Sequence, residues 1–122
     1  FKEYFAPLFN LFKPKKIINY QVAIRALAIA QLPKGFEMIP AGTEISIERL
    51  TYQFKYLKST PKKRRTGKVP KPTKPDLHDN LNKAFMDALE GIVFEQDQNI
   101  VKINGLEKYY DKEDLITLIL KY

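Results

Sequence analysis

Residues 59–75 contain Pro61, Gly67, Pro70, Pro72 and Pro75. Proline has no N–H to donate and its ring crowds the preceding turn, so neither a helix nor a central strand persists through such a run. The stretch is therefore a loop or an edge ribbon, with the ordered elements on either side of it. It is also cationic. Nine of the chain's 21 cations (Lys55, Lys58, Lys62, Lys63, Arg64, Arg65, Lys68, Lys71 and Lys74) fall between Lys55 and Lys74 with no acid among them, leaving twelve cations against fourteen acids elsewhere. The net charge of +7 is thus a local property. A patch of this density is the footprint of a polyanion-binding surface, because each neutralised phosphate releases condensed counterions. A merely solvated loop is the plainer alternative.

Before the basic run, residues 17–31 read as a helix in which Tyr20, Ala23, Ile24, Leu27 and Ala28 recur on one core-facing stripe. Pro33 and Gly35 end it. Residues 44–56 alternate Ile45, Ile47, Tyr52, Phe54 and Tyr56, the pattern of a strand with one buried face, with a bulge or register shift expected at Arg49-Leu50-Thr51. After the basic run, a second helix is expected over residues 79–90. Leu81, Ala84, Phe85, Ala88 and Leu89 form its buried side, and Gly91 is the left-handed terminator. Ile92-Val93-Phe94 reads as a short buried strand, turned by residues 95–98 into a partner strand, Ile100 to Ile103. The apolar run from Leu115 to Tyr122 suits a strand or a short helix. Residues 1–12 are apolar and aromatic around Pro7, and no strand is recognisable there.

At 122 residues and 44% hydrophobic content the chain makes one domain, spanning residues 1–122. Its start at Phe1 rather than methionine points to a natural N-terminus upstream. Without cysteine there are no disulfides, thiolate metal sites or cysteine nucleophiles, which fits a reducing, cytoplasmic setting. A single histidine argues against a His-rich zinc site. The longest apolar run, near Val22 to Ala30, is interrupted by Arg25 and falls well short of the roughly 20 residues that cross a bilayer.

Chemistry concentrates just after the cationic run, in Lys74-Pro75-Asp76-Leu77-His78-Asp79-Asn80-Leu81-Asn82-Lys83, then Asp87-Ala88-Leu89-Glu90-Gly91 and Asp97. On a helix Asn80, Lys83 and Asp87 form a polar line opposite Phe85 and Ala88, with Asp76 and Asp79 at the positive N-terminal end. Mg²⁺ takes oxygen ligands from few protein carboxylates and keeps positions open for water and phosphate oxygens. Carboxylates and a lysine beside a phosphate-attracting surface therefore point to metal-dependent phosphodiester hydrolysis. Each residue also has an ordinary role: Asp79 as an N-cap, Lys83 and Asp87 as a surface pair, Asp97 in a turn, His78 on the surface, and Tyr109 and Tyr110 in the core.

These residues resemble the RusA-like Holliday-junction resolvases of bacteria and their phages. The resemblance rests on residues 74–83 and 87–97, on the upstream Thr60-Pro61-Lys62-Lys63-Arg64-Arg65-Thr66-Gly67, and more weakly on Lys13-Pro14-Lys15-Lys16-Ile17-Ile18-Asn19-Tyr20. It implies an α+β (mixed α/β) fold, a mixed sheet packed with two main helices, in which residues 115–122 form a strand. It also implies a homodimeric, Mg²⁺-dependent endonuclease that nicks four-way DNA junctions symmetrically during recombination and repair. By motif position Asp76, Asp79 and Asp97 correspond to the metal ligands, Lys83 to the catalytic lysine, and Asn80 and Asp87 to supporting residues. Lys13, Lys15, Lys16, Lys62, Lys63, Arg64, Arg65, Lys68, Lys71 and Lys74 would hold the DNA. The family's Asp-x-Asp-Asn reads here with one additional residue, its paired acids read Gln96-Asp97, and its later glutamine is Asn99. A junction-binding protein whose metal site is spoiled by that extra residue is the second expectation, and a basic RNA-associated domain the third.

Overall fold

The computed structural model describes residues 3–9, 17–74 and 76–122; within these, the side chains of residues 3–9, 17–20, 79 and 80 fall outside the description. In chain order the elements are β1 (Glu3–Phe9), α1 (Ile17–Gln31), β2 (Ile45–Lys55), β3 (Val69–Pro70), α2 (Lys83–Leu89), β4 (Ile100–Ile103), β5 (Leu106–Asp111) and β6 (Leu115–Lys121). The fold is α+β, one mixed sheet with two main helices, as the resemblance implies.

β2 is the spine of the sheet. β6 runs antiparallel along one side of it and pairs in turn with β1. On the other side β4 runs parallel to its first half and β5 to its second, and β3 adds an edge ribbon to β5. Two parallel strands cannot be joined by a tight turn, so the chain must cross over between β2 and β4. That crossover carries the basic run and α2. The expected irregularity in β2 is present, one residue early: the pairing with β6 shifts register between Ile47 and Arg49. Glu48, the residue skipped, receives hydrogen bonds from Asn104 Nδ2 at 2.9 Å and from Ser46 Oγ at 3.1 Å.

Ile45, Ile47, Leu50 and Tyr52 of β2 join Ile116, Leu118 and Leu120 of β6 in one buried cluster with Ile24 and Ala28 of α1 and Ala84, Phe85, Ala88 and Leu89 of α2. Burying each of the larger side chains contributes about 1.5–3 kcal/mol. The stripe expected on α1 is buried at Ile24 and Ala28, but the helix is apolar on its outer side as well, where Val22 is 62% and Ile29 60% exposed.

Four expectations need correction. Residues 3–9 do form a strand; β1 pairs with β6 alone and so lies at the edge of the sheet, the place where a strand tolerates a proline such as Pro7. Val93 and Phe94 are buried as expected, but residues 92–94 are not a strand. The N–H groups of Ile92 and Val93 both turn back to the Leu89 carbonyl, at 3.1 and 3.0 Å, after Gly91 takes φ +80°. β4 consequently finds its partner in β2. The second helix divides into a wide turn at Leu77–Asn82 and α2 proper, and Leu106–Asp111 is a strand whose charged residues hid it from the alternation pattern.

Candidate active site

α2 is too short to be stable alone, so its position comes from what grips it. Tyr52 meets Phe85 edge-on, ring centroids 5.8 Å apart and planes at 86°, and the Tyr52 hydroxyl reaches Asn82 Oδ1 at 3.5 Å. From α1, Gln21 Nε2 donates to the Ala84 carbonyl at 3.3 Å, while Arg25 Nη1 donates to the carbonyls of Ala88 and Glu90 at 3.2 and 3.3 Å. With Leu81, Ala84, Phe85, Ala88 and Leu89 buried, Lys83 and Asp87 face solvent together.

The end of α2 brings acids together. Carboxylate oxygens of Asp87, Glu90 and Asp97 all lie within 4.8 Å of one another, with Glu90 half-buried and the other two exposed. Glu90 Oε2 also accepts the Asp97 N–H at 3.1 Å, tying the helix end to the one-turn helix Asp97–Asn99. Three carboxylates at this separation form a hard oxygen donor set, the chemistry that Mg²⁺ requires. Of the residues singled out in the sequence, this cluster brings together Asp97, read as a metal ligand, and Asp87, read as a supporting residue, and it adds Glu90, which was not among the candidates. The signal for Glu90 was its i,i+3 spacing from Asp87, which puts both carboxylates on one face where the helix ends.

Asp76 is exposed and is not one of the three, and the Asp79 and Asn80 side chains lie outside the described residues. The backbone here accommodates the additional residue. The Leu81 N–H donates to the Asp76 carbonyl five residues back, at 3.1 Å, so Leu77–Asn82 is a turn of π-helix. A π turn takes up one residue more than an α turn without disturbing the helix that follows. Lys83 and Asp87 thus keep their α-helical relation.

The basic run has two parts. Lys62, Lys63 and Arg64 form a one-turn helix, Lys62–Arg64, with all three side chains exposed, and Lys74 is exposed as well. Arg65, Lys68 and Lys71 are engaged within the fold. Arg65 Nε donates to the Thr60 carbonyl at 3.0 Å and its Nη2 to those of Leu57 and Lys58, each at 3.3 Å. Lys68 pairs with Glu107 at 2.8 Å and stands 5.2 Å from the centre of the Tyr109 ring. Lys71 Nζ lies 5.0 Å from the Phe54 ring and 4.6 Å from the Tyr110 ring, and donates to the Tyr110 hydroxyl at 3.0 Å. That hydrogen bond, with a second from Thr73, holds the Tyr110 phenol below its ordinary pKa. Lys108 completes the anchor by donating to the Thr73 carbonyl. Lys13, Lys15 and Lys16 lie outside the described residues.

A family model described as Endodeoxyribonuclease RusA matches residues 4–120, a span that includes both the basic ribbon and the acid cluster. The chain belongs to the RusA endodeoxyribonuclease family. No curated protein matches it. Membership in the RusA family makes the chain a Holliday-junction-resolving type of endodeoxyribonuclease, with branched DNA as its substrate class. No helix among the described residues is long and apolar enough to cross a membrane.

Proposed function

We propose that this RusA-family protein resolves four-way DNA junctions by Mg²⁺-dependent paired nicking, as a homodimer, in recombination and repair within the cytoplasm of a bacterial or phage-infected cell. The observation that carries the reading is the meeting of Asp87, Glu90 and Asp97 carboxylates, at mutual distances within 4.8 Å, inside a chain matched by the family from residue 4 to residue 120.

In this reading Asp97, with Asp87 and Glu90, holds the metal ion, and Asp76 and Asp79 are the further acids that the family motif assigns to it. When bound, Mg²⁺ supplies a water of lowered pKa and neutralises charge developing on the phosphate. Lys83, exposed on the same face of α2 as Asp87, holds the scissile phosphate, with Asn80 in support. Lys62, Lys63, Arg64 and Lys74 hold the arms of the junction through their phosphates, a contact that carries no sequence information. Arg65, Lys68 and Lys71 shape the ribbon that presents them. Two copies related by a two-fold axis would match the junction's symmetry, and the exposed apolar side of α1, at Val22 and Ile29, offers a surface for the second copy.

Asp97→Asn tests the assignment. The substitution keeps size and hydrogen-bonding capacity and removes the charge, so cleavage of a labelled four-way junction should fall by at least about 100-fold while binding to the junction is retained. Cleavage at the parental rate would refute the assignment. Tight binding by a parent chain that never cleaves would leave a junction-binding module.

A further inference from the structure

Asp97 is exposed and sits on a single helical turn, yet the segment bearing it is not left to itself. Residues 39–43 lie along residues 93–99 and are tied to them throughout. Ile39 N–H donates to the Val93 carbonyl and Glu95 N–H to the Ile39 carbonyl, both at 2.9 Å, and Ala41 N–H donates to Glu95 Oε2 at 2.9 Å. The last tie is the Asn99 side chain, whose Nδ2 donates to the Pro40 carbonyl at 2.7 Å and the Thr43 carbonyl at 3.0 Å. These two carbonyls bracket a tight turn closed by Thr43 N–H on the Pro40 carbonyl at 3.3 Å, with Gly42 at φ +86°.

Asn99 is 4% exposed, while its Oδ1 is buried without a hydrogen-bond partner. A buried acceptor left unmet costs free energy, so this side chain is kept in place by its two donated bonds. An aspartate would set a carboxylate against two carbonyl oxygens. The Asn99 N–H in turn closes the Asp97 turn on the Gln96 carbonyl at 3.1 Å, so one residue clamps both turns.

We propose that Asn99 is a positioning residue for Asp97: its buried amide locks the Asp97 turn onto residues 40–43 and so sets the carboxylate against Glu90 and Asp87. The inference rests on the reading of Asp97 as a metal ligand. Groups that orient ligands from behind typically alter metal affinity by 10–100-fold when removed. A residue that only stabilises the fold would lower the melting temperature and leave the affinity alone.

The test uses the full chain and Mn²⁺, followed by the electron paramagnetic resonance signal of the free ion. Parent, Asn99→Ala, Asp97→Asn and Gln53→Ala are compared. Gln53 is the matched control, a buried amide on β2 that donates to the Glu113 carbonyl at 2.9 Å, outside the acid cluster. Asn99→Ala should weaken Mn²⁺ binding about tenfold, and its cleavage, reduced at low Mg²⁺, should return as Mg²⁺ is raised, with junction binding unchanged. Gln53→Ala should lower the melting temperature without moving Mn²⁺ affinity. Parental affinity in Asn99→Ala, together with weakened affinity in Asp97→Asn, overturns the positioning role while sparing the metal site. Parental affinity in Asp97→Asn overturns the metal reading and this inference with it. If Asn99→Ala does not fold, Asn99→Leu takes its place, since it keeps the buried volume and removes both donated bonds. A drop of about tenfold supports the proposal and parental affinity overturns it.

Discussion

Lys71 and Lys62 carry the same charge in the same ribbon, but the Lys71 ammonium lies between two aromatic rings while Lys62 is exposed. Charge alone therefore overstates how many residues of the run are available to a polyanion. Replacing Lys62, Lys63 and Arg64 together by alanine should flatten the dependence of log affinity on log salt by roughly 2 to 3, at about 0.9 for each phosphate no longer neutralised. Lys71→Ala should leave the slope nearly unchanged and cost about 0.5–1 kcal/mol of stability, the value of its cation–π interactions. Filter binding across a salt series and thermal melts separate the two, and a slope that moves equally in both variants would contradict the division. The candidate acids show the same limit of reading residues alone. Asp97 and Asp87 stood out by motif and by their place beside the helix. Glu90 did not, because only the return of the chain through Gly91 brings it to Asp97.

At the scale of elements, the turn Leu77–Asn82 explains how one additional residue is carried between Asp76 and Asp79. If the π turn absorbs it, deleting His78 should convert the turn to α-helix, restore the family spacing, and keep both α2 and cleavage. A chain that loses its fold on deletion would show that the wide turn has a role of its own. The bulge in β2 yields a prediction in pH. Asn104, then Ser46, hydrogen-bond the Glu48 carboxylate and lower its pKa from 4.5. The folded state favours the ionised form, so this contribution is present above pH 4.5 and fades as pH falls through the lowered folded value. Glu48→Gln should therefore be less stable than the parent at neutral pH, with the two converging in acid. A gap that stays constant to low pH in denaturant titrations would contradict it. α1 was legible because Ile24, Leu27 and Ala28 recur at helical spacing although its outer side is apolar too, β2 because Ile45 and Ile47, then Tyr52 and Phe54, alternate on either side of its bulge, and α2 because its buried face and Gly91 mark it. β5 was hidden by Glu107, Lys108 and Asp111. Residues 92–94 misled because a buried turn and a buried strand can share the same apolar composition.

For the whole molecule, the sheet and its crossover fix where the basic ribbon and the acid cluster are carried. β2 and β5 run parallel, so the chain between them must travel the length of the sheet, and the basic ribbon and the acid-bearing helix both lie on that journey. The cations and the carboxylates thus belong to one crossover, which meets β2 where Lys71 lies by Phe54 and where Tyr52 meets Phe85. Whether the protein cuts branched DNA is tested most directly by cleavage of a four-way junction labelled on each strand in turn, in Mg²⁺ and in chelator. The predicted result is a pair of nicks at symmetry-related positions in Mg²⁺, none in chelator, and an uncut linear duplex of the same sequence. Nicks that persist in chelator, or that fall equally on the linear duplex, would contradict it.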